Sequence, residues 1–340
     1  MKTKFRIAIV TLCMALGLEV LAAPAGVYVV NTKGASVSLV DLGTQKELKR
    51  IPVGQTPYGV VVADQGSTLI VGVEGEEKLK FFDTKTFQVK GETKIGKMHN
   101  DHIILSPDGK HVLVANFYSD DVVGIDIKTR KIAYRLKGLS APHVVKYGPS
   151  KTKAYVTCKK VTGIGVIDPA SRKVLAFHQL NVNPRSLTFS DDESKVYFGS
   201  FWVDGFFEMD PASGKVTRLF PLPTPEGNST PQEVTYHGVE SIGGNVVLAA
   251  NEGRSYVDAV DVTTGKLLDR LTDVSKPCCI ERIPGSDTMK VLVSNIEDAT
   301  LQFVEVSKEG KLRSLGKVKV GDAPKRVAFT EQLPASIAAE

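Results

Sequence analysis

Cysteine is scarce in this chain of 340 residues: Cys13, Cys158, Cys278 and Cys279. Once an N-terminal leader is set aside, three remain, an odd number that excludes a disulfide framework. In an oxidising compartment at least one thiol is then buried, bound or reactive. A bridge between the adjacent Cys278 and Cys279 needs a strained ring, so buried free thiols are the simpler expectation. Tryptophan occurs once, as Trp202. No Cys-x-x-Cys-His is present, which excludes a covalently attached c-type haem. No Gly-x-Ser-x-Gly is present either, so a nucleophile elbow is excluded. Lysines are spread through turns rather than gathered in a basic stripe, and nucleic-acid binding by charge is not expected.

The chain opens with Lys2, Lys4 and Arg6, followed by an apolar run from Ile7 to about Leu21 and by Val20-Leu21-Ala22. This pattern predicts a secretory signal peptide over residues 1–22, cleaved after Ala22. The apolar run is short for a membrane span and is interrupted by Glu19. The expected product is a periplasmic or secreted chain with no membrane span. It keeps 318 residues, 40 bases and 37 acids, a net charge of +3.

Six turns share one wording: DLGTQK at Asp41, DTKTFQ at Asp83, DIKTRK at Asp126, DPASRK at Asp168, DPASGK at Asp210 and DVTTGK at Asp261. A seventh, VSKEGK at Val306, lacks the Asp. The steps are 42, 43, 42, 42, 51 and 45 residues, a period that signals a propeller in a strand-rich chain. Each repeat holds four short runs of alternating hydrophobicity, as in HIILS, HVLVANF, VVGIDI and IAYRLKG. Stacking such sheets about an axis buries faces that a single sheet leaves exposed. The chain also starts out of phase, because GVYVVNT corresponds to a second strand and KRVAFT to a first. The expected fold is therefore all-β, a seven-bladed β-propeller of four-stranded antiparallel blades over residues 23–330. The C-terminal strand completes the first blade and closes the ring, and residues 331–340 form a disordered tail.

The segments AYVTCKKVTGIGVIDPASRKV and VYVVNTKGASVSLVDLGTQKEL resemble YVTN-type β-propeller repeats, with Tyr155-Val156-Thr157-Cys158 standing for the tetrapeptide. The resemblance spans the mature chain. It implies a scaffold shared by surface-layer, lactonase-like, haem-d1 and amine-dehydrogenase propellers, and so fixes a fold rather than an activity.

Each inner strand is preceded by Pro-x-x-apolar: PYGV at Pro57, PHVV at Pro142, PRSL at Pro184, PQEV at Pro231, PCCI at Pro277 and PKRV at Pro324. One copy substitutes Asn100, in NDHI. The two residues after each start should crowd one mouth of the central channel. They place Asp101, His102, His143, Arg185, Glu233, Cys278, Cys279 and Arg326 there as ligand-contact candidates. Loops on the same face hold Tyr118 and Trp202, a candidate partner face, and receive the insertion 220–234.

Three chemistries compete with a plain binding scaffold. His99 and His102, with His143 from a neighbouring blade, suit a transition metal such as Zn or Cu. The resemblance to haem-d1 propellers implies a His at an inner-strand start. His102 lies one residue late for that role, and His143 holds the matching column in the next blade. A lactonase-like hydrolysis would use Glu233 or His143 as base and Arg185 for an oxyanion. The leading expectation is a monomeric scaffold that binds a small ligand or another periplasmic protein at the mouth, with no cofactor identified beyond the haem or metal candidates.

Overall fold

The computed structural model describes residues 24–96, 102–224, 236–285, 289–334 and 337. It contains seven four-stranded antiparallel sheets arranged as blades in a ring. Blade 1 is built from both ends of the chain, in the order Pro324–Thr330, Gly26–Asn31, Ser36–Asp41, Lys46–Pro52. The C-terminal strand pairs along its length with the first, from Gly26 opposite Thr330 to Asn31 opposite Pro324. The other inner strands are Pro57–Ala63, Ile103–Leu105, Pro142–Tyr147, Pro184–Phe189, Tyr236–Gly243 and Pro277–Arg282, in blades 2 to 7. Within the segment 331–340, expected as a disordered tail, Leu333 packs against Gly26 and the hydrophobic cluster of blade 1.

The repeated turns close as their composition demands. Asp41 Oδ1 accepts hydrogen bonds from the backbone N–H of Gly43 at 2.7 Å and Thr44 at 2.8 Å. Asp83, Asp126, Asp168, Asp210 and Asp261 repeat the contact. The last turn residue takes a left-handed conformation, filled by Gln45, Phe87, Arg130 and Arg172 in four blades and by Gly214 and Gly265 in two others. In the turn that lacks Asp, Ser307 Oγ accepts from Glu309 and Lys311 instead.

The core is divided among the gaps between blades. Seven hydrophobic clusters of buried side chains fill the seven interfaces. Tyr28 and Leu39 of blade 1, for example, meet Leu69 and Phe82 of blade 2. Fully burying one such side chain stabilises by about 1.5–3 kcal/mol. No blade holds a core of its own size, so blades depend on their neighbours.

Six inner strands share one irregularity that shapes the channel. Just after the starting residue the register against the second strand shifts, as between Pro142 and Val145 and between Pro277 and Cys279. A bulge of this kind re-aims the side chains beside it. The first residue after the start meets the loops at the mouth. The second, with the fourth, faces the channel lumen.

Removing residues 324–340 should abolish cooperative thermal unfolding, because Val27 and Val29 lose their ladder partner and blade 1 loses its inner wall. Circular dichroism melting of the truncated chain checks this; a sharp transition like that of the full chain would count against ring closure as the stabilising contact.

Candidate functional site

The mouth is assembled from the first residue after each inner-strand start. Among the described residues these are Tyr58, His143, Arg185, His237, Cys278 and Lys325 in blades 2, 4, 5, 6, 7 and 1. Blade 6 departs from the sequence reading. Its inner strand begins at Tyr236, opposite Asn251, in the position that Pro142 holds opposite Cys158. The Pro231 motif lies five residues upstream, and the blade 6 place in the ring belongs to His237. Glu233 itself, with His99 and Asp101, lies outside the described residues.

A buried polar cluster does in blade 6 what Pro does elsewhere. The Tyr236 hydroxyl donates to Asp258 Oδ2 at 2.6 Å, and Arg270 Nε donates to Asp258 Oδ1 at 2.6 Å. Arg270 also stacks over the Tyr256 ring, 3.8 Å from its centre. Tyr236 is thereby fixed, and His237 follows it into the mouth. Gly238 allows blades 6 and 7 to approach, since a Cβ there would stand 2.8 Å from the Cys278 carbonyl oxygen.

His237 Nδ1 lies 2.7 Å from Glu252 Oε2 and 3.1 Å from Cys278 Sγ. Cys279 Sγ lies 3.2 Å from Cys278 Sγ. His237, Cys278 and Cys279 are buried, and Glu252 reaches them from the loop after the second strand of blade 6. His237 Nε2 is also buried and has no hydrogen-bond partner among the described residues. Burial works to raise the Glu252 carboxyl. The hydrogen bond from His237 and the charges of His237, Lys325 and Arg185 outweigh it, and the net shift is downward. The Cys278 thiol is pushed well above its ordinary value by its contact with Cys279 and by burial, so it is protonated in the ion-free site. Cys158 is buried and free, as expected of the thiols, and packs in another cluster; desolvation takes it up to about 12 and leaves it inert.

Basic groups surround the cluster. Arg185 lies over the Phe201 ring at 4.2 Å and Lys159 over the same ring at 4.7 Å, while Lys325 lies over Tyr58 at 4.8 Å. Arg185 Nε is buried and has no partner among the described residues. Phe201 therefore walls the mouth. Its neighbour Trp202 points outward, 65% exposed, and Tyr118 on the blade 3 loop is 47% exposed.

His102 and Arg326 do not join this ring. They face a narrow lumen with Ser186, Lys146, Glu240 and Glu281. There Lys146 of blade 4 pairs with Glu240 of blade 6 at 2.6 Å, past the inner strand of blade 5. Burial opposes the Lys146 charge, but Glu240 and Glu281 outweigh it and hold the ammonium protonated. This filled lumen does not fit a haem macrocycle at His102. His143 is the blade 4 member of the mouth ring, and His99, the third residue of the expected metal set, lies outside the described residues.

A cleft of about 740 Å³ lies on the opposite face, between blades 3 and 4. Its Asp108 and Asp168 are engaged in their own turns, accepting from Ser106 and Lys110 and from Ala170 and Ser171. His111 and Arg172 also line the cleft, each packed against the Tyr134 ring, at 5.7 and 4.9 Å.

No protein-family profile matches this chain. No curated protein matches it in sequence either. Solved structures do share the fold. Kuenenia stuttgartiensis hydrazine synthase superposes with a TM-score of 0.72 at 18% identity, over 83% of this chain and 93% of that one. The periplasmic gluconolactonase of Pseudomonas aeruginosa gives 0.69 at 18% identity, over 91% and 99%. The dihydro-heme d1 dehydrogenase NirN gives 0.61 at 15% identity, over 86% and 64%. The seven-bladed propeller is common to this chain and these proteins.

Glu252 contributes stability that is present above the ordinary carboxylate range and lost as pH falls through its lowered value. Glu252→Gln should therefore cost about 1–3 kcal/mol at neutral pH. The gap from the parent should narrow as pH falls below about 4. Urea unfolding of both proteins across that range measures it, and a gap that stays constant with pH would refute the assignment.

Proposed function

We propose that the chain is an exported ligand-binding propeller whose channel mouth takes a small anionic ligand. Arg185 carries this reading. Its guanidinium lies on Phe201, and its buried Nε has no partner among the described residues. A buried guanidinium donor left unsatisfied is costly, and a carboxylate or phosphate oxygen is its natural complement. Lys159 shares the Phe201 ring, and Lys325 and Arg185 both act on Glu252, so the cations converge on one point. Aromatic faces of Phe201 and Tyr58 beside them suit a ligand with an apolar or sugar-ring body. Tyr118 and Trp202 stand outside this pocket and offer the surface for a protein partner.

Gluconolactonase is the activity named for one structural neighbour, and a sugar acid is a suitable anionic probe. Gluconate should bind saturably in calorimetric titration. Arg185→Ala should weaken it by about tenfold or more, and Arg185→Lys by less. Equal binding of gluconate and a neutral hexose, or an unchanged Arg185→Ala, would refute an anion site. Glucono-δ-lactone is the second probe. Turnover above buffer that falls with His143→Ala would make the protein a hydrolase with an imidazole base rather than a binding module.

Export rests on the residues 1–22 and is tested directly. Mass spectrometry of protein made in a host with a secretion pathway should find a chain starting at Ala23. An intact Met1 start in the soluble cell fraction would overturn it.

A further inference from the structure

We propose that His237, Glu252 and Cys278 form a three-ligand binding site for a thiophilic divalent cation of the Zn²⁺ class on the floor of the mouth, with its fourth position left to water or a guest. The site needs no anionic ligand and stands apart from that reading. Its ligand atoms come from three segments of two blades: the inner strand of blade 6, the loop after its second strand, and the inner strand of blade 7. His237 Nδ1, a Glu252 carboxylate oxygen and Cys278 Sγ lie within 4.8 Å of one another. The second sulfur, Cys279 Sγ, is 3.2 Å from the first.

The present separations of 2.7, 3.1 and 3.2 Å are those of groups in hydrogen-bond contact. Tetrahedral zinc, with bonds near 2.0–2.3 Å, spreads its N, O and S ligands to about 3.4–3.8 Å. His237, Glu252 and Cys278 must open by about half an ångström to take the ion. One sulfur, an imidazole and one carboxylate select a borderline-soft ion over Mg²⁺ and Ca²⁺, which favour all-oxygen shells.

Two further observations point the same way. The Cys278 thiolate and Glu252 bring two negative charges, which the dication balances, beside Lys325 and Arg185, both already acting on Glu252. The ligating thiol releases its proton to solvent. Binding through Nδ1 also leaves the His237 proton on Nε2, the buried nitrogen without a partner among the described residues. Metal-bound imidazoles use that second nitrogen as a donor, here toward whatever occupies the mouth.

The test uses the full exported chain, reduced, stripped with chelator and titrated with ZnCl₂ and with Co²⁺ as a coloured substitute, without added anion. One ion per chain is expected, with thiolate-to-cobalt absorption and a raised melting temperature. Cys278→Ser and His237→Gln should weaken binding by about a hundredfold or more, and Glu252→Gln by about tenfold or more. His102→Ala should leave it unchanged. Variants are compared in the ion-free state by their melting curves, so that loss of fold is told apart from loss of site. The proposal fails if the parent chain takes up no zinc, or if the cobalt spectrum lacks a thiolate band. It also fails if binding is lost in His102→Ala and kept in Cys278→Ser. A native chain two mass units light, with a 278–279 disulfide and no zinc uptake after reduction, would identify a redox pair instead. Failure of gluconate to bind would leave this result untouched, and the reverse holds too.

Discussion

Everything at the mouth depends on one backbone ladder, that between Gly26–Asn31 and Pro324–Thr330. Each blade hides its faces against two neighbours, and the ladder supplies the last neighbour that makes the ring continuous. Once the ring is closed, seven inner strands must start at the same end of the same axis. The register shift just after their starting residues then sorts the side chains into two sets. One set gathers at the rim with the loops; the other turns into the lumen. The chemical character of the mouth is thus a consequence of a strand irregularity repeated in six blades, together with whatever residue each repeat happens to place there.

Stability and site chemistry are consequently kept apart. The seven interblade clusters contain aliphatic and aromatic side chains such as Leu39, Phe82, Phe206 and Val293. The rim contains His143, Arg185, His237, Cys278 and Lys325, which contribute little to those clusters. A repeat can change its rim residue without repacking its blade. Blade 6 shows the limit of that freedom. It has lost the Pro at its strand start, and a buried Tyr236–Asp258–Arg270 cluster fixes the strand in its place.

The architecture was legible because period, turn chemistry and phase are all local. Asp41 and its counterparts announce their turns by bonding backbone groups two and three residues on, and the strand GVYVVNT reveals the phase by its likeness to HVLVANF. Much of the rim was legible too, since Pro57, Pro142, Pro184, Pro277 and Pro324 mark its places. What failed to show was blade 6. The step of 51 residues admits more than one strand start, and Pro231 offered an apolar-following Pro in a plausible position. Only Tyr236 pairing with Asn251 settles the register. An eye for Tyr236 and Asp258 alternating with apolar residues in facing strands would have been the available clue. Glu252 was invisible for another reason: it sits in a loop that varies from blade to blade, and nothing but spatial proximity joins it to His237.

The ion pair between Lys146 and Glu240 has a bearing on traffic through the molecule. It braces one wall of the lumen against the wall two blades away, directly beneath the rim. The lumen is narrowed beneath the rim by this bridge from blade 4 to blade 6. A guest held past Phe201 and Tyr58 would rest above that bridge, which sets how far along the axis it can descend.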